Sequence, residues 1–491
     1  MVAKIITAAL LAVVPAVACA NPGAAVVTRD QAALRAAPRD SAQQQALLWP
    51  GEIVEVRAER LDYLQVYDYR RERGGYVRAS HVRRLGSTAN DAPELLSVVR
   101  FLRETPGAEA LGIGLAMAYV QAAPAEELQS AAGAEALEAL GGFADRLAQR
   151  VSSGAEPSKA LEAKLAAHLD VATRYGIRFA TYERESRMQV CYDGDAFRRV
   201  LGLPATPEQR ARAALALTRP ECVDPDLGPV ARAEHDAWRA EVLDRVDASA
   251  LPGYLTNRLL MRRASVWASI AYQRAQRGEA ADAAAKRAIA EFTGVRRAEL
   301  TDDDFPEYNS AAMRVGASRW AAAPAAQAAG SRPVHLVLER GQPGETCVLL
   351  VDAQYDVRGA SARRCTYGVV WTASATTNRE GNALALAVQP ADAWLELWVF
   401  HREAKGWTVR ILPPAGTMPD LGYAELAGWV PGGRQMLVAR EARGEGKYRR
   451  SFEVMRLDTL AVERQASDPV ILGPFQRWQD PAWKAGTVSV R

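Results

Sequence analysis

Hydrophobic and polar residues alternate with a period of two in several short runs of the first 85 residues. The alternation is clearest at 52–56 and at 63–67, and such a period is typical of half-buried β-strands. Pro50-Gly51 and Gly74-Gly75 supply turn residues between the runs. The spacing predicts about five or six short strands over 24–85, which is the size of a small β-barrel.

The pattern changes after position 91 to a period near 3.6 residues, which indicates α-helices. Leu95, Val98 and Leu102, for example, form one apolar stripe along a helix. We therefore predict an all-helical domain over 91–320. Beyond its first helix, the predicted helices of this domain are 108–122, 124–150, 157–186, 207–218, 229–248, 254–277 and 280–293.

A β-type pattern returns in the last third of the chain. The stretch 321–333 is rich in Ala, Gly and Pro and is predicted to be a linker. Beyond it, over 334–491, seven of the eleven tryptophans lie between Trp371 and Trp483, and large aromatic side chains are typical of a sheet core. The predicted strands of this region are 334–339, 347–352, 367–373, 383–388, 394–400, 408–412, 436–440, 452–457 and 461–465.

These three patterns define a multidomain α+β fold class. A small barrel comes first, an all-helical middle domain follows, and a β-rich domain ends the chain. A loose repeat relates Gly381 and Leu384 to Gly433 and Met436, which lie 52 positions later in each case. The last domain is therefore either a two-sheet sandwich or a partial propeller.

Composition limits the classes of partner that the protein can have. The chain has 491 residues, of which 49% are hydrophobic and 24% are charged, so it has room for about two to four packed domains. The net charge is only +3, although 54 arginines stand against seven lysines. Opposite charges alternate along most segments, and we therefore expect no nucleic-acid partner.

The first 20 residues have the pattern of a secretory signal peptide. Lys4 supplies the positive start, an apolar run covers 5–14, and Ala18-Cys19-Ala20 offers small residues for cleavage. No later segment has about 18 consecutive apolar residues, so no transmembrane segment is expected after processing. We expect a bacterial protein that is periplasmic or secreted.

Cys19 allows a second interpretation of this segment. Residues 16–19 resemble a bacterial lipobox, in which the cysteine is lipidated and becomes the mature N-terminus. That family prefers leucine where this chain has Ala16. We expect simple cleavage, with a lipid anchor at Cys19 as the alternative.

The remaining four cysteines suggest two disulfides. Cys191, Cys222, Cys347 and Cys365 are an even number in an exported chain, and four cysteines allow three pairings. Proximity along the chain favours Cys191–Cys222 and Cys347–Cys365, each stabilising by about 3 kcal/mol. The sequence has no CxxC and no HExxH pattern, so we expect no metal and no cofactor.

The segment 24–85 resembles the bacterial SH3-like (SH3b) family. The residues that carry this resemblance are Leu34 and Arg35 with Pro38, Gly51 before 54–56, the strand 63–66, and Gly75 before Tyr76 and Val77. Tyrosine stands at Tyr63 and at Tyr76 where the family has tryptophan. The resemblance implies a small barrel that binds peptidoglycan peptides or another envelope partner.

Aromatic and basic residues of this module form the predicted ligand-binding set. That set consists of Tyr63, Tyr67, Tyr69, Tyr76 and Arg78. Tyrosine faces and guanidinium groups suit peptides that carry carboxylates. The alternative is that the tyrosines fill the barrel and the arginines only solvate its rim.

A weaker similarity concerns the C-terminal region. The segment 428–433 is similar to the Trp-x-Pro-Asp-Gly turn that begins a blade in propellers of the TolB type, with Gly432 in place of the aspartate. This similarity keeps a partial propeller open beside the two-sheet sandwich. The 158 residues after Pro333 allow about three or four blades.

No catalytic constellation stands out, and we predict no catalytic residue. Glu185-Ser186 is similar to the Glu-Ser of lytic transglycosylases, but the glycine-rich segment that follows it in that family is missing. We expect an exported envelope protein that binds or scaffolds through the SH3-like module. The alternatives are a cell-wall hydrolase targeted by that module and a periplasmic sensor or assembly factor.

Overall fold

The computed structural model describes residues 23–153, 158–184, 187–323, 334–352, 354–416, 421–444 and 447–486. The predicted signal segment at 1–20 and most of the predicted linker lie outside these ranges. The described residues form several separate sheets and a helical middle region, which confirms the mixed α and β class. Their contacts divide the chain into two compact units, one up to Ala205 and one from Thr206 onward.

The first unit begins with a seven-stranded antiparallel sheet, in the order β3-β2-β6-β5-β4-β1-β7. Its strands are β1 (Gly23–Val27), β2 (Ala32–Arg35), β3 (Gln44–Leu48), β4 (Ile53–Arg60), β5 (Tyr63–Asp68), β6 (Arg73–Arg78) and β7 (Val82–Leu85). Leu34, Leu64, Val66 and Val77 belong to the core of this sheet. Because successive strand residues point to opposite faces, burial of Leu64 and Val66 directs Tyr63 and Tyr67 to the other face.

Helices and one hairpin complete the first unit. They are α1 (Ala92–Arg103), α2 (Glu109–Ala122), α3 (Ala125–Leu128), α4 (Ala131–Ser152), α5 (Lys159–Arg174), the strands β8 (Phe179–Arg184) and β9 (Arg187–Tyr192), and α6 (Asp195–Leu201). Val26 of β1 shares a core with Ile113, Phe143 and Leu147 of the helices. The sheet and the helices of this unit are therefore packed against each other.

A glycine contact allows the sheet to approach α2 closely. A Cβ atom at Gly114 would lie only 2.6 Å from the carbonyl oxygen of Gly51. Beside this contact, the Tyr175 hydroxyl donates to the same Gly51 oxygen at 2.5 Å. The Glu52 carboxylate is buried and accepts from Arg71 at 3.1 Å and from Arg174 at 2.5 Å.

The prediction of an all-helical middle domain is wrong at 179–192. The helix expected at 157–186 ends at Arg174, and Gly176 follows with a left-handed φ of +80°, which is a common way to end a helix. β8 and β9 then pair in register from Phe179↔Tyr192 to Arg184↔Arg187. Tyrosine, threonine and valine favour strands here. The charged residues between them resemble the polar face of an amphipathic helix, and this led to the helix prediction. Glu185 and Ser186 lie outside the described residues.

The second unit begins with five longer helices. They are α7 (Pro207–Leu217), α8 (Pro229–Asp244), α9 (Gly253–Gln276), α10 (Asp282–Thr293) and α11 (Phe305–Ser318). The first four confirm the predicted helices to within a few residues, whereas α11 was not predicted. α10 and α11 both pack against α9, and their shared core contains Met261, Phe292 and Tyr308.

Buried arginines satisfy the carbonyl groups at the ends of two of these helices. Arg239 donates to the Thr218 carbonyl at 2.7 Å, beyond the end of α7. Arg263 donates to the carbonyls of Leu243 and Val246, at 2.7 and 2.6 Å, at the end of α8. The last turn of a helix has carbonyls without helical partners and a partial negative charge, so these arginines fix how the helices pack.

The rest of the second unit is built from β-strands. They are β10 (His335–Arg340), β11 (Thr346–Val351), β12 (Ala362–Thr366), β13 (Val369–Thr377), β14 (Ala383–Ala391), β15 (Trp394–Glu403), β16 (Gly406–Leu412), β17 (Leu421–Val430), β18 (Gln435–Gly444), β19 (Lys447–Arg456) and β20 (Val462–Ala466). The nine predicted strands are confirmed as elements, and β12 and β17 were missed. Two short helices, α12 (Gly473–Trp478) and α13 (Pro481–Gly486), follow.

These strands form a three-stranded sheet, β10-β11-β12, and an eight-stranded sheet. Val348 and Leu350 of the smaller sheet share a core with Leu386 and Phe400 of the larger one. On the larger sheet, β15 pairs in parallel with β17 only at Trp394 and Leu395. From Leu397 onward β15 pairs with β16 instead, so the sheet divides at this point.

The four cysteines within the described residues are in the oxidised state that the sequence predicts. Cys347 and Cys365 are directly opposite each other on β11 and β12 and form a disulfide. Cys191 and Cys222 are disulfide-bonded as well. Oxidised cysteines are typical of proteins outside the cytoplasm.

The arginine at the end of α8 gives a stability prediction. We expect Arg263→Met to lower the free energy of unfolding by about 2 kcal/mol or more, because two buried carbonyls lose a charged donor. The measurement is urea denaturation followed by tryptophan fluorescence. Arg245→Met is the control, since Arg245 forms an exposed ion pair with Glu241. Equal urea midpoints for the two variants would contradict the structural role of Arg263.

Candidate functional site

The predicted ligand-binding residues lie on the face of the seven-stranded sheet opposite its core. Tyr63 pairs with Arg78, and Gln65 pairs with Tyr76, on β5 and β6. Tyr67 lies on the same face, next to Glu55 of β4. Among the described residues, the apolar cluster around Leu34, Leu64 and Val66 contains no tyrosine, although Tyr63 is itself buried on the opposite face. The structure therefore brings Tyr63, Tyr76, Tyr67 and Arg78 to one surface.

One end of this surface is closed by charged contacts. The Tyr63 hydroxyl donates to Asp40 at 2.6 Å, and Arg78 donates to Asp40 at 3.1 Å and to Asp62 at 2.8 Å. Hydrogen bonds from Arg78 and Tyr63 hold the pKa of Asp40 below its usual value. These hydrogen bonds attach the loop that contains Asp40 to this end of the surface. Because Tyr63 is only 2% exposed, this end offers little aromatic surface to a ligand.

The other end is open and aromatic. The Arg57 guanidinium lies 4.1 Å from the centre of the Tyr67 ring, and the Tyr67 and Tyr69 rings meet edge to face at 4.9 Å. Tyr69 is 68% exposed, whereas large aromatic side chains are usually covered. We call Arg57, Tyr67 and Tyr69 the tyrosine shelf.

Glu55 organises the shelf electrostatically. Its carboxylate accepts from Arg57 at 3.3 Å. Hydrogen bonds from Tyr69 and Arg57 lower the pKa of Glu55. The hydrogen bond between Tyr69 and Glu55 also raises the pKa of Tyr69. Arginine has five N–H donors, and the two that contact Glu55 leave others for a ligand.

The sequence analysis found the tyrosines of the shelf but missed Arg57 and Glu55. Their positions follow from strand register, because Glu55 is the cross-strand neighbour of Tyr67. That register depends on a bulge in β4 between Val56 and Ala58, which no local pattern predicts. The sequence indicated the position of Glu55 only through the alternation at 52–56, which places the Glu55 side chain on the face opposite Val54 and Val56.

The rings, hydroxyls and guanidinium of the shelf are groups suited to binding. The shelf contains neither histidine nor cysteine. Aromatic edges, ring faces and hydroxyls can pack against an extended chain and hydrogen-bond to its amides. A partly exposed arginine over one ring adds a site for a carboxylate.

The acidic residues near Cys191 have structural roles. Asp193 accepts from the backbone of Asp195 at 3.0 Å and from Arg178 at 2.8 Å. Asp195 pairs with Arg199 inside α6. Aspartates with these partners shape a turn and a helix start.

The only described cluster with metal-ligand types is Glu345 with Cys347 and Cys365. Both of its sulfurs are used in the disulfide, and a metal ion binds thiolate rather than disulfide sulfur. This cluster is therefore not suited to hold a metal ion.

Comparisons with protein-family models, with curated proteins and with solved structures found no match to this chain. Within the described part of the chain, no helix combines the length and the apolar character that crossing a bilayer requires.

The role of Glu55 gives a prediction for Tyr69. We expect Glu55→Ala to lower the pKa of Tyr69 towards its ordinary value, because the carboxylate that stabilises the protonated hydroxyl is removed. The measurement is a titration of the Tyr69 ring by NMR with labelled tyrosine. Glu59→Ala is the control, since Glu59 pairs with Arg84 at a separate exposed position. An unchanged Tyr69 pKa in Glu55→Ala would show that the shelf is not organised in this way.

Proposed function

We propose that the seven-stranded sheet is an SH3-like barrel and that the protein is an exported, non-catalytic binding or scaffolding protein of the bacterial envelope. The proposed ligand is a peptide of peptidoglycan or an extended segment of an envelope protein. The exposed tyrosine shelf is the single observation that carries this proposal. The resemblance of the segment 24–85 to bacterial SH3-like modules supports it.

The chemistry of the shelf favours a peptide over a charged polymer. The arginines of the surface, Arg57 and Arg78, already have carboxylate partners, so the surface has little net charge to offer. Short peptides of the cell wall present methyl groups, amides and free carboxylates. Tyr67 and Tyr69 can cover the methyl groups, and the remaining donors of Arg57 can bind one carboxylate.

The oxidised cysteines support an exported location. Structural disulfides persist in the periplasm and outside the cell, whereas reducing systems keep most cytoplasmic thiols free. A binding role in the envelope requires such a location.

We expect Tyr69→Ala to weaken retention on purified peptidoglycan sacculi by roughly tenfold, because exposed aromatic anchors carry a large share of binding energy. The full chain is incubated with sacculi at low salt, and the bound fraction is measured after sedimentation. Tyr367→Ala is the matched control, because Tyr367 is also exposed, at 59%, but lies in the second unit. No retention of the unaltered protein, or equal retention of the two variants, would overturn the proposal.

A further inference from the structure

A cavity of about 450 Å³ lies in the second unit where the large sheet divides. Leu397 of β15 and Leu426 of β17 line it from the two strands that separate. The C-terminal helix α13 contributes Trp483, and the turn after α11 contributes Trp320. Cavities of this size are typical of sites for small molecules.

Small side chains create the space. β14 contributes Ala385 and Ala387 to the lining, and β13 contributes Ala373 and Ala375. Each of these alanines occupies a strand position at which a leucine or valine would fill the volume. The side of the cavity formed by the sheet is therefore largely apolar.

The adjoining part of β13 is irregular. The register with β14 shifts between Trp371 and Thr376. Within this interval the Ser374 hydroxyl accepts from the Ala387 N–H at 2.8 Å and donates to the Trp371 carbonyl at 2.6 Å. A side chain thus replaces a backbone partner at the edge of the cavity, and such bulges are frequent beside binding sites.

A buried ion pair lies in the wall of the cavity. Arg319 and Glu425 form a salt bridge with side chains that are 8% and 2% exposed. The Trp483 indole donates to Glu425 at 3.1 Å, and the Arg319 guanidinium lies 4.4 Å from the centre of the Trp320 ring. A buried ion pair is often no more stabilising than an apolar pair of the same volume. Stability alone therefore does not explain why an ion pair lies beside this cavity.

Arg319 and Trp320 give this wall donors for an acceptor group of a ligand, and the lining also contains Glu425, which pairs with Arg319, and Asp480. The Trp320 indole N–H is buried without a partner among the described residues. Arg319 donates one hydrogen bond to Glu425 and lies against the Trp320 ring, and no other hydrogen bond of its guanidinium is found among those residues. An unsatisfied buried donor such as the Trp320 indole N–H is costly. An acceptor group of a ligand in the cavity would satisfy it, and a carboxylate there would also receive hydrogen bonds from the guanidinium of Arg319.

From this geometry we propose that the cavity binds a small monocarboxylic acid with an apolar body. The body lies against the alanines of β13 and β14, and the carboxylate contacts Arg319. The site lies in the second unit and is independent of the peptide binding proposed for the tyrosine shelf of the first.

Octanoate is the probe for the first test, with binding to the full chain measured by calorimetry. We expect saturable binding at one site and a loss of about tenfold or more in affinity for Ala373→Leu, because the larger side chain occupies the cavity. Ala461→Leu is the matched control, since Ala461 is exposed and does not line the cavity. Absence of octanoate binding, or equal affinities of the two variants, would overturn the proposal.

Octanol tests the role of the carboxylate, since it has the same chain and no charge. We expect the unaltered protein to prefer octanoate by about tenfold. The double variant Arg319→Gln with Glu425→Gln should lose this preference while it still binds octanol, and retained octanol binding shows that the variant is folded. Glu403→Gln with Arg410→Gln is the control, because this pair is partly exposed and lies outside the cavity. Equal affinity of the unaltered protein for the two probes would contradict the proposed contact with Arg319.

Discussion

A carboxylate buried in a protein interior must be neutralised, and in both units of this protein arginine does so. In the first unit Glu52 accepts from Arg71 and Arg174, which joins a turn of the sheet to helix α5. The adjacent Gly51 lies against α2 and accepts from Tyr175. The seven-stranded sheet is therefore not an isolated module on a flexible connection. The turn at Gly51 and Glu52 is fixed to the helices, and the face of the sheet that carries the tyrosines remains open to a ligand.

The same principle organises the second unit. Asp236 is fully buried and pairs with Arg232 and Arg239, and Arg239 in turn binds the end of α7. The planar guanidinium group can satisfy a carboxylate and a carbonyl at once, which a lysine ammonium does less well. The large excess of arginine over lysine thus has a structural use at these positions. The pair of Arg319 and Glu425 differs because it borders a cavity rather than a packed core.

Much of the secondary structure could be predicted from periodicity, because most strands and helices here have one buried and one exposed face. β8 was mistaken for the end of the helix predicted at 157–186, and β9 was not predicted, since the charged residues of this hairpin hide the period of two. The pairing of Tyr182 with Gln189 also depends on strand register. The tyrosines of the shelf could be named because they are aromatic residues of the module, but Arg57 reaches Tyr67 only through a bulge. The cavity could not be foreseen, because alanines, two tryptophans and an ion pair come together from five distant segments.

The central claim is that the sheet and the helices of the first unit behave as one cooperative body held together at Glu52. Hydrogen exchange of the full chain tests it most directly, with Glu52→Ala compared to Glu59→Ala, because the Glu59 side chain is exposed and pairs with the exposed Arg84. The account predicts that Glu52→Ala lowers protection of β4, β5 and α5 together and by the same free energy, as expected for one cooperative opening. Loss of protection confined to the strands, with α5 unchanged, would contradict it.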